Sequence, residues 1–310
     1  MGMNSSMTVI VAGGSGVFGR HISRTLTGAG HSVLSLGRGE ANDVRADLLD
    51  RHGLLRAVSG LQADVVVHAA TALKKPPLAH KDMYVTDDLR IAGTRNLLEA
   101  AQAVGAQRFI GENIVFGYGY RDFGDHVLTE THPFGVTERD PGFARHLAGM
   151  RDKERLANAA DGIDAISLRY GLFYGEGGTE ALVEMLRRRR LPAFNDHGRV
   201  LPWINLVDAA TAVLAAMEHG RDGEAYNIVD DSYLGFGGMV RATAEAFGTP
   251  KPMTVPTWLT VVAPYMHRAA TISLRVSSEK ARHDLGWKPI YPTVADGLRA
   301  LVAQRASPGS

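Results

Sequence analysis

Short apolar runs rich in β-branched residues alternate with longer amphipathic stretches between residues 7 and 170. Such runs predict buried strands, and the amphipathic stretches predict helices. The predicted strands are Thr8–Ala12, Ser32–Gly37, Asp64–Ala69, Arg108–Ile110 and Ala165–Tyr170. The predicted helices are Val17–Ala29, Asp50–Ser59, approximately Lys81–Val104 and approximately Phe143–Ala160. Strands that alternate with helices indicate right-handed crossovers, and therefore a doubly wound parallel α/β sheet of the Rossmann type.

The pattern changes after Tyr170, where glycines and prolines divide the chain into short pieces. The residues that interrupt it are Gly175, Gly177, Gly178, Pro192, Gly198 and Pro202. We therefore predict two parts: a nucleotide-binding domain over residues 7–170, and a smaller, irregular lobe over residues 171–306 that mainly binds substrate. Some segments of the second part are expected to return to the sheet.

Composition narrows the class of protein. The chain has 310 residues, of which 45% are hydrophobic, so it can form a sizeable core. Its 34 Lys and Arg residues balance 33 Asp and Glu residues, which argues against nucleic acid or an anionic membrane as partner. There is no cysteine, which excludes disulfides and thiolate zinc sites, and the histidines lack metal-ligand spacing. With no signal-like or membrane-spanning run, we expect a cytoplasmic protein that acts on a small molecule.

A glycine-rich turn follows the first predicted strand and opens the first predicted helix. It reads Gly13-Gly14-Ser15-Gly16-Val17-Phe18-Gly19. Glycines at such a turn let the backbone approach a pyrophosphate, and the amides at the helix N-terminus face its charge. Because the motif lies in the first βα unit, it predicts a dinucleotide site.

The end of the second predicted strand bears on the choice between NAD and NADP. An NAD site normally has Asp or Glu there for the ribose hydroxyls, whereas this chain has Gly37-Arg38-Gly39. The Arg38 guanidinium suits a 2′-phosphate, and Ser15 can add a hydroxyl. The alternative is a solvated surface arginine. We predict NADP(H) as the cofactor.

Several segments, taken together in order and spacing, resemble the short-chain dehydrogenase/reductase superfamily in its extended and atypical NAD-dependent epimerase/dehydratase branch. They are the glycine turn, Asp47-Leu48, Val66–Ala70, Gly93–Ala100, Leu168–Gly175, Trp203–Asp208, Tyr226–Ile228 and Lys280–Trp287. The resemblance implies that Asp47 and Leu48 hold the adenine and that Ala69 and Ala70 line the cofactor. It also implies that Tyr170 lies beside the nicotinamide.

That family works with a Ser or Thr hydroxyl and a Tyr-x-x-x-Lys pair on a helix, where Tyr moves the proton and Lys binds the nicotinamide ribose. This chain has Gly111-Glu112-Asn113 where the hydroxyl is expected. The suitably placed lysine is Lys153, and Gly149 stands four residues before it. Arg90 stands where the family often has Asn. We therefore predict that the usual catalytic tyrosine is absent.

Three interpretations follow from these departures. In the first, another side chain moves the proton, and the candidates are Glu112, Tyr118 and His146, with Lys153 beside them. In the second, the cofactor supplies hydride while water or the substrate supplies the proton. In the third, the site has lost redox chemistry. Each candidate also has a purely structural alternative: an ion pair between Glu112 and Lys153, a packed loop aromatic at Tyr118, and a partly exposed helix residue at His146.

The function predicted from these residues is an NADP(H)-dependent oxidoreductase or epimerase-like enzyme that acts on a carbonyl or alcohol of a small metabolite. The alternative is a nucleotide-binding protein without hydride transfer, either a non-redox isomerase or cyclase or a redox-sensing regulator. The resemblance also implies a homodimer formed by the two long predicted helices. Leu97, Leu98 and Ala101, with Leu147, Met150 and Ala157, offer apolar surface for the sheet and for a partner.

Overall fold

A seven-stranded parallel sheet forms the centre of this computed structural model, which describes residues 6–73, 77–258 and 264–306. Its strands are β1 (Thr8–Ala12), β2 (Ser32–Gly37), β3 (Val44–Arg45), β4 (Val65–His68), β5 (Arg108–Ile114), β7 (Asp164–Tyr170) and β11 (Ala225–Ile228). The spatial order is β11-β7-β5-β4-β1-β2-β3. The order reverses direction at β1 and β4, which in doubly wound sheets is where ligands bind.

Helices cover both faces of the sheet. Helices α1 (Val17–Gly28) and α7 (Leu206–His219) pack on one face, and α2 (Arg51–Ala57) and α4 (Thr94–Ala103) on the other. The described residues also form α3 (Tyr84–Asp88), α5 (Pro141–Asn158), α6 (Glu180–Arg187), α8 (Phe236–Ala246), α9 (Pro264–Thr271), α10 (Glu279–Asp284) and α11 (Val294–Ala306). The doubly wound parallel fold predicted from the sequence is confirmed.

The apolar strand runs are buried on both sides, as their continuous hydrophobic character predicts. On β1, Val9 and Val11 lie in one core, together with residues of α1 and α7. Ile10 and Ala12 lie in a second core on the opposite face, together with residues of α2 and α4. Successive side chains of a strand point to opposite faces, so a single run contributes to both layers.

The region predicted as one helix from approximately Lys81 to Val104 is helical but not uniformly α-helical. A 3₁₀ turn (His80–Asp82) precedes α3, and a π-helical turn, Leu89–Gly93, separates α3 from α4. The long helix predicted from the sequence is therefore present from Tyr84 to Ala103, with a π turn inside it that the prediction did not include. Single π turns within helices are frequent at functional sites because they redirect the side chains they carry.

Three small parallel sheets lie outside the central one. They pair β8 (Leu172–Tyr174) with β10 (Trp203–Asn205), β9 (Ala193–Phe194) with β12 (Thr254–Val255), and β6 (Asp122–Leu128) with β13 (Ser273–Val276). A third hydrophobic core joins residues of β6, β13, α8 and α11 to the aromatic side chains that follow β5. The elements of this third core therefore pack beside the carboxyl end of β5.

Candidate active site

At the glycines of the turn between β1 and α1, there is no space for a side chain. Gly13 has a φ of +88°, and a methyl group there would lie 2.7 Å from the Ala69 carbonyl oxygen. A methyl group at Gly19 would lie 2.1 Å from the Gly13 oxygen. Gly16 caps α1 with no side-chain hydrogen bond to the amides of its first turn. The backbone therefore forms the close, amide-rich cradle that a pyrophosphate requires.

A cleft of about 640 Å³ extends from this turn along the carboxyl ends of β1, β2 and β4. Its lining includes these residues predicted to bind cofactor: Gly13, Ser15, Gly16, Arg38, Asp47, Leu48, Ala69 and Ala70. Thr71 and Leu89 also line it. The structure thus brings together residues that are far apart in the chain, in a space suited to a dinucleotide.

Arg38 is the cation at the β2 end of this cleft. Its guanidinium lies 3.9 Å from the Asp47 carboxylate, and its side chain is 64% exposed. An exposed pair at that distance is weak, so the guanidinium is free to turn toward a ligand. Ser15 is held next to the turn by its own amide, which donates to the Asn42 side chain at 3.2 Å.

Three of the other residues predicted to bind cofactor, Val17, Phe18 and Tyr170, do not line this cleft. Val17 and Phe18 begin α1, and Phe18 is buried in the core. The Tyr170 ring packs edge-on against Phe18 at 5.2 Å, and its hydroxyl donates to the Ala209 carbonyl at 3.1 Å. Tyr170 therefore sits in the core at the end of β7, and its place beside a nicotinamide stays a prediction.

Lys153 and Glu112 meet at the carboxyl end of the sheet. Lys153, on α5, is only 2% exposed, and its Nζ lies 3.7 Å from Glu112 Oε2 on β5. The same Nζ donates to the His68 carbonyl at 3.3 Å, directly before Ala69 of the cleft. Burial lowers the pKa of Lys153 to about 8; Glu112 opposes that shift and Arg90 adds to it. An amine with such a pKa can hold or give up a proton near neutral pH.

Gly149 stands one helical turn before Lys153, on the same face of α5. A methyl group there would lie 3.5 Å from Arg90 Cδ and 3.5 Å from Asp87 Oδ1. These two side chains form an ion pair, with Arg90 Nη1 at 3.3 Å from Asp87 Oδ1. A buried ion pair therefore occupies the space that a side chain at position 149 would enter.

His146 is fully buried and is bonded on both sides. Its Nδ1 lies 2.6 Å from Asp87 Oδ2, and its Nε2 lies 3.0 Å from His80 Nδ1. His80 is partly exposed and lies 3.7 Å from Asp140. These bonds direct His146 to Asp87 and not to Lys153, which makes it a support for the ion pair. The expectation of a partly exposed helix residue was wrong.

Tyr118 is enclosed in a separate polar network. Its hydroxyl donates to Asn227 at 2.8 Å and accepts from Arg169 at 3.0 Å, while Arg169 binds Glu154 at 2.7 Å. Burial raises the pKa of Tyr118 to about 12. A hydroxyl that is buried, doubly bonded and weakly acidic serves packing better than proton transfer.

The apolar helix residues predicted for a dimer interface are buried within the single chain. They are Leu97, Leu98, Ala101, Leu147, Met150 and Ala157, with exposures between 0% and 7%. They pack against the sheet and the lobe, so their apolar surface is not available to a partner. Among the described residues there is no group of three or more potential metal ligands, and no helix long and apolar enough to cross a membrane.

Comparison with known proteins identifies the family. The model of the NAD dependent epimerase/dehydratase family matches residues 9–229, so the chain belongs to that family.

Individual relatives cover nearly the whole chain. A 3-diazoavenalumate denitrifying reductase from a Streptomyces species is 34% identical, over 94% of this chain and 99% of the relative. UDP-glucose 4-epimerase from Lacticaseibacillus casei is 28% identical, over 93% of each chain. Among solved structures, a human epimerase family protein with NADPH superposes with a TM-score of 0.79 at 19% identity, covering 96% of this chain and 99% of the other.

Sequence reasoning missed two members of this site. Asp87 and His80 carry no motif, and the contact of Asp87 with His146 joins residues 59 positions apart. Arg90 stood out as a departure from the family pattern, which was the available signal, but its pairing with Asp87 beside Gly149 emerges only in three dimensions.

Proposed function

We propose that the protein is an NADP(H)-dependent reductase that replaces the diazo group of a small organic substrate by hydrogen and releases dinitrogen. The observation that carries this proposal is Gly149, which leaves no tyrosine beside Lys153 to donate a proton. The relative named as a denitrifying reductase of a diazo compound supports it, since that protein matches nearly end to end.

The chemistry explains why a proton donor is dispensable. Bound NADPH supplies a hydride to the substrate. Replacement of a diazonium nitrogen by hydride forms one carbon–hydrogen bond, breaks one carbon–nitrogen bond and leaves dinitrogen and NADP⁺, with no proton consumed. Carbonyl reduction, by contrast, needs one proton for the alkoxide oxygen, and a positioned acid normally supplies it.

The residues that would hold the cofactor are those of the cleft. Gly13, Gly16 and Gly19 form the pyrophosphate cradle, and Asp47 with Leu48 stands where the adenine would lie. Arg38 would pair with the 2′-phosphate, which is the basis for proposing NADP(H) over NAD(H). Lys153 would bind the nicotinamide ribose through its Nζ, which Glu112 and the His68 carbonyl hold at the cleft.

An isotope experiment tests the reaction. The protein is incubated with an ortho-hydroxyaryl diazonium salt and NADPH that carries deuterium at C4 of the nicotinamide. We expect one NADPH consumed per dinitrogen released, and deuterium on the ring carbon that carried nitrogen. In D₂O with unlabelled NADPH, that carbon should carry ordinary hydrogen. Nitrogen loss without NADPH consumption, or deuterium taken from the solvent, would refute enzymatic hydride delivery.

Reduction of a carbonyl is the second candidate, and the pair formed by Glu112 and Lys153 favours it. Their 3.7 Å separation and the lowered pKa of Lys153 provide a possible proton source at the carboxyl end of the sheet. Ketone reduction that is lost in Glu112→Gln, together with failure of the isotope test, would favour this candidate. Cofactor binding without turnover of either substrate class would favour a nucleotide-binding protein without hydride transfer.

A cytoplasmic homodimer completes the proposal. Because the apolar residues of α4 and α5 are used inside the chain, the subunit contact would have to use the exposed faces of these helices. Light scattering at micromolar concentration tests the dimer, and a monomer mass would remove it.

A further inference from the structure

Arg90 is the more exposed member of the ion pair beside Gly149. Its side chain is 11% exposed, against 1% for Asp87. Within the described part of the chain, one hydrogen bond engages its guanidinium, from Nη1 to Asp87 Oδ1 at 3.3 Å. Most of the guanidinium N–H donors therefore remain for a ligand.

Arg90 is adjacent in the chain to a residue that lines the cofactor cleft. Arg90 lies on the π-helical turn Leu89–Gly93, and Leu89 on that turn lines the cleft. Burial lowers the pKa of His68 well below its ordinary value, and the charges of Lys153 and Arg90 lower it further. The guanidinium, Lys153 and the end of β4 are thus close neighbours.

Asp87 holds the Arg90 guanidinium in one position as well as balancing its charge. The carboxylate also receives His146 at 2.6 Å on its other oxygen and lies 3.7 Å from Arg145. A carboxylate shared among three partners holds the Arg90 side chain in one orientation, as preorganised binding sites require.

We infer that Arg90 binds an anionic oxygen of the substrate, so that the site selects organic anions such as aryl carboxylates. The inference rests on the reductase proposed above and adds the chemical class of its substrate. The guanidinium stands in the space next to Lys153 that Gly149 leaves open. A substrate oxygen bound there takes a charge-assisted hydrogen bond from a planar, permanently charged donor.

The test measures binding and not turnover, so that its outcome is independent of the hydride step. The probes are 4-hydroxycinnamate and its neutral amide, titrated into the complex of the protein with NADP⁺. We expect the wild-type protein to bind the carboxylate about tenfold or more tightly than the amide, as charged hydrogen bonds predict. Equal affinity for the two probes in the wild-type protein would overturn the inference.

Variants assign the preference to Arg90. Arg90→Met should abolish the preference while leaving the affinity for the amide unchanged, and Arg90→Lys should retain only part of it because lysine lacks the planar fork. Arg145→Met is the matched control, since Arg145 also contacts Asp87 but has a side chain that is 44% exposed. It should keep the full preference.

Folding is monitored by thermal unfolding, where the Arg90 variants should have a lower Tm because Asp87 loses a buried partner, and by NADP⁺ affinity, which should match wild type. If Arg90→Met fails to fold, Arg90→Gln replaces it, because glutamine can still donate to Asp87 while carrying no charge. A carboxylate preference that survives in either neutral variant contradicts the inference. Loss of the preference with intact diazo reduction of a neutral substrate supports it and leaves the reductase standing.

Discussion

The two sides of the cleft use opposite kinds of chemistry. Around β1 and β2, the site is made of backbone: Gly13, Gly16 and Gly19 shape it, and the cation that lines the cleft there, Arg38, is largely exposed. Around β4 and β5, the site is made of buried charge, with Lys153 and the pair of Asp87 and Arg90 almost fully enclosed. The first side depends on the absence of side chains, and the second depends on every charge keeping its partner.

The largest expected effect tests the backbone side. In Gly19→Ala, the added methyl group would lie 2.1 Å from the Gly13 oxygen, which is backbone and cannot turn away. We expect NADPH affinity to fall by about a hundredfold through overpacking. Gly28→Ala on the same helix is the control, because no heavy atom lies within 4 Å of its added methyl group. Fluorescence titration with NADPH measures both, and similar losses in the two variants would count against a cofactor role for the turn.

The next effect tests the charged side through pH. The folded pKa of Lys153, about 8, lies below its ordinary value of 10.5. Between these values the unfolded chain binds more protons, so stability should rise with pH across this window; below pH 8 the full cost of burying the ammonium applies. That cost is on the order of 3 kcal/mol. Urea unfolding of wild type and Lys153→Met between pH 7 and 10.5 measures it. Parallel pH profiles for the two proteins would show that the lysine is not destabilised by burial.

Arg38 is a charged side chain on the β1–β2 side of the cleft, which is otherwise formed mainly by backbone, so it allows charge to be tested there. Arg38→Ala should reduce the preference for NADPH over NADH by about 1.5–3 kcal/mol, the range for charge-assisted hydrogen bonds, and should leave NADH affinity nearly unchanged. Arg45→Ala is the matched control, since Arg45 is similarly exposed at 67% and does not line the cleft. Competition binding with NADPH and NADH measures the preference in the wild-type protein and in both variants. Equal affinities in the wild-type protein would remove the NADP(H) assignment.

The smallest expected effect concerns Tyr118, whose polar network is separate from Lys153 and from the pair of Asp87 and Arg90. Tyr118→Phe removes a hydroxyl bonded to Asn227 and Arg169, which should cost about 1–2 kcal/mol of stability. Turnover should stay within about twofold of wild type, because the hydroxyl is committed to that network. A fall in kcat of about a hundredfold would instead identify Tyr118 as the proton donor.

The two sides also differ in how far the sequence predicts them. Strand β1 and the start of α1 follow directly from an apolar run and a glycine turn, since both signals are local. Strand β6 has no such signal, because most of Asp122–Leu128 is exposed and its pairing with β13 joins residues far apart. The ion pair beside Gly149 depends on a π turn that helical periodicity does not reveal. Local sequence patterns therefore predict the glycine turn, whereas the positions of the buried charged side chains depend on tertiary packing.

The empty position at Gly149 has a consequence for how this chain can change. An alanine would fit there, with contacts of 3.5 Å to its neighbours, but a phenol ring would have to displace Arg90 or Asp87. Displacing Asp87 leaves the buried Arg90 without its ion-pair partner, at a cost of about 3–5 kcal/mol, and displacing Arg90 removes one of the three partners of Asp87. A single mutation of Gly149 to tyrosine would thus yield an unstable protein. The residues at positions 87, 90 and 149 therefore depend on one another. A Tyr-x-x-x-Lys site could form in this chain only if all three were replaced together.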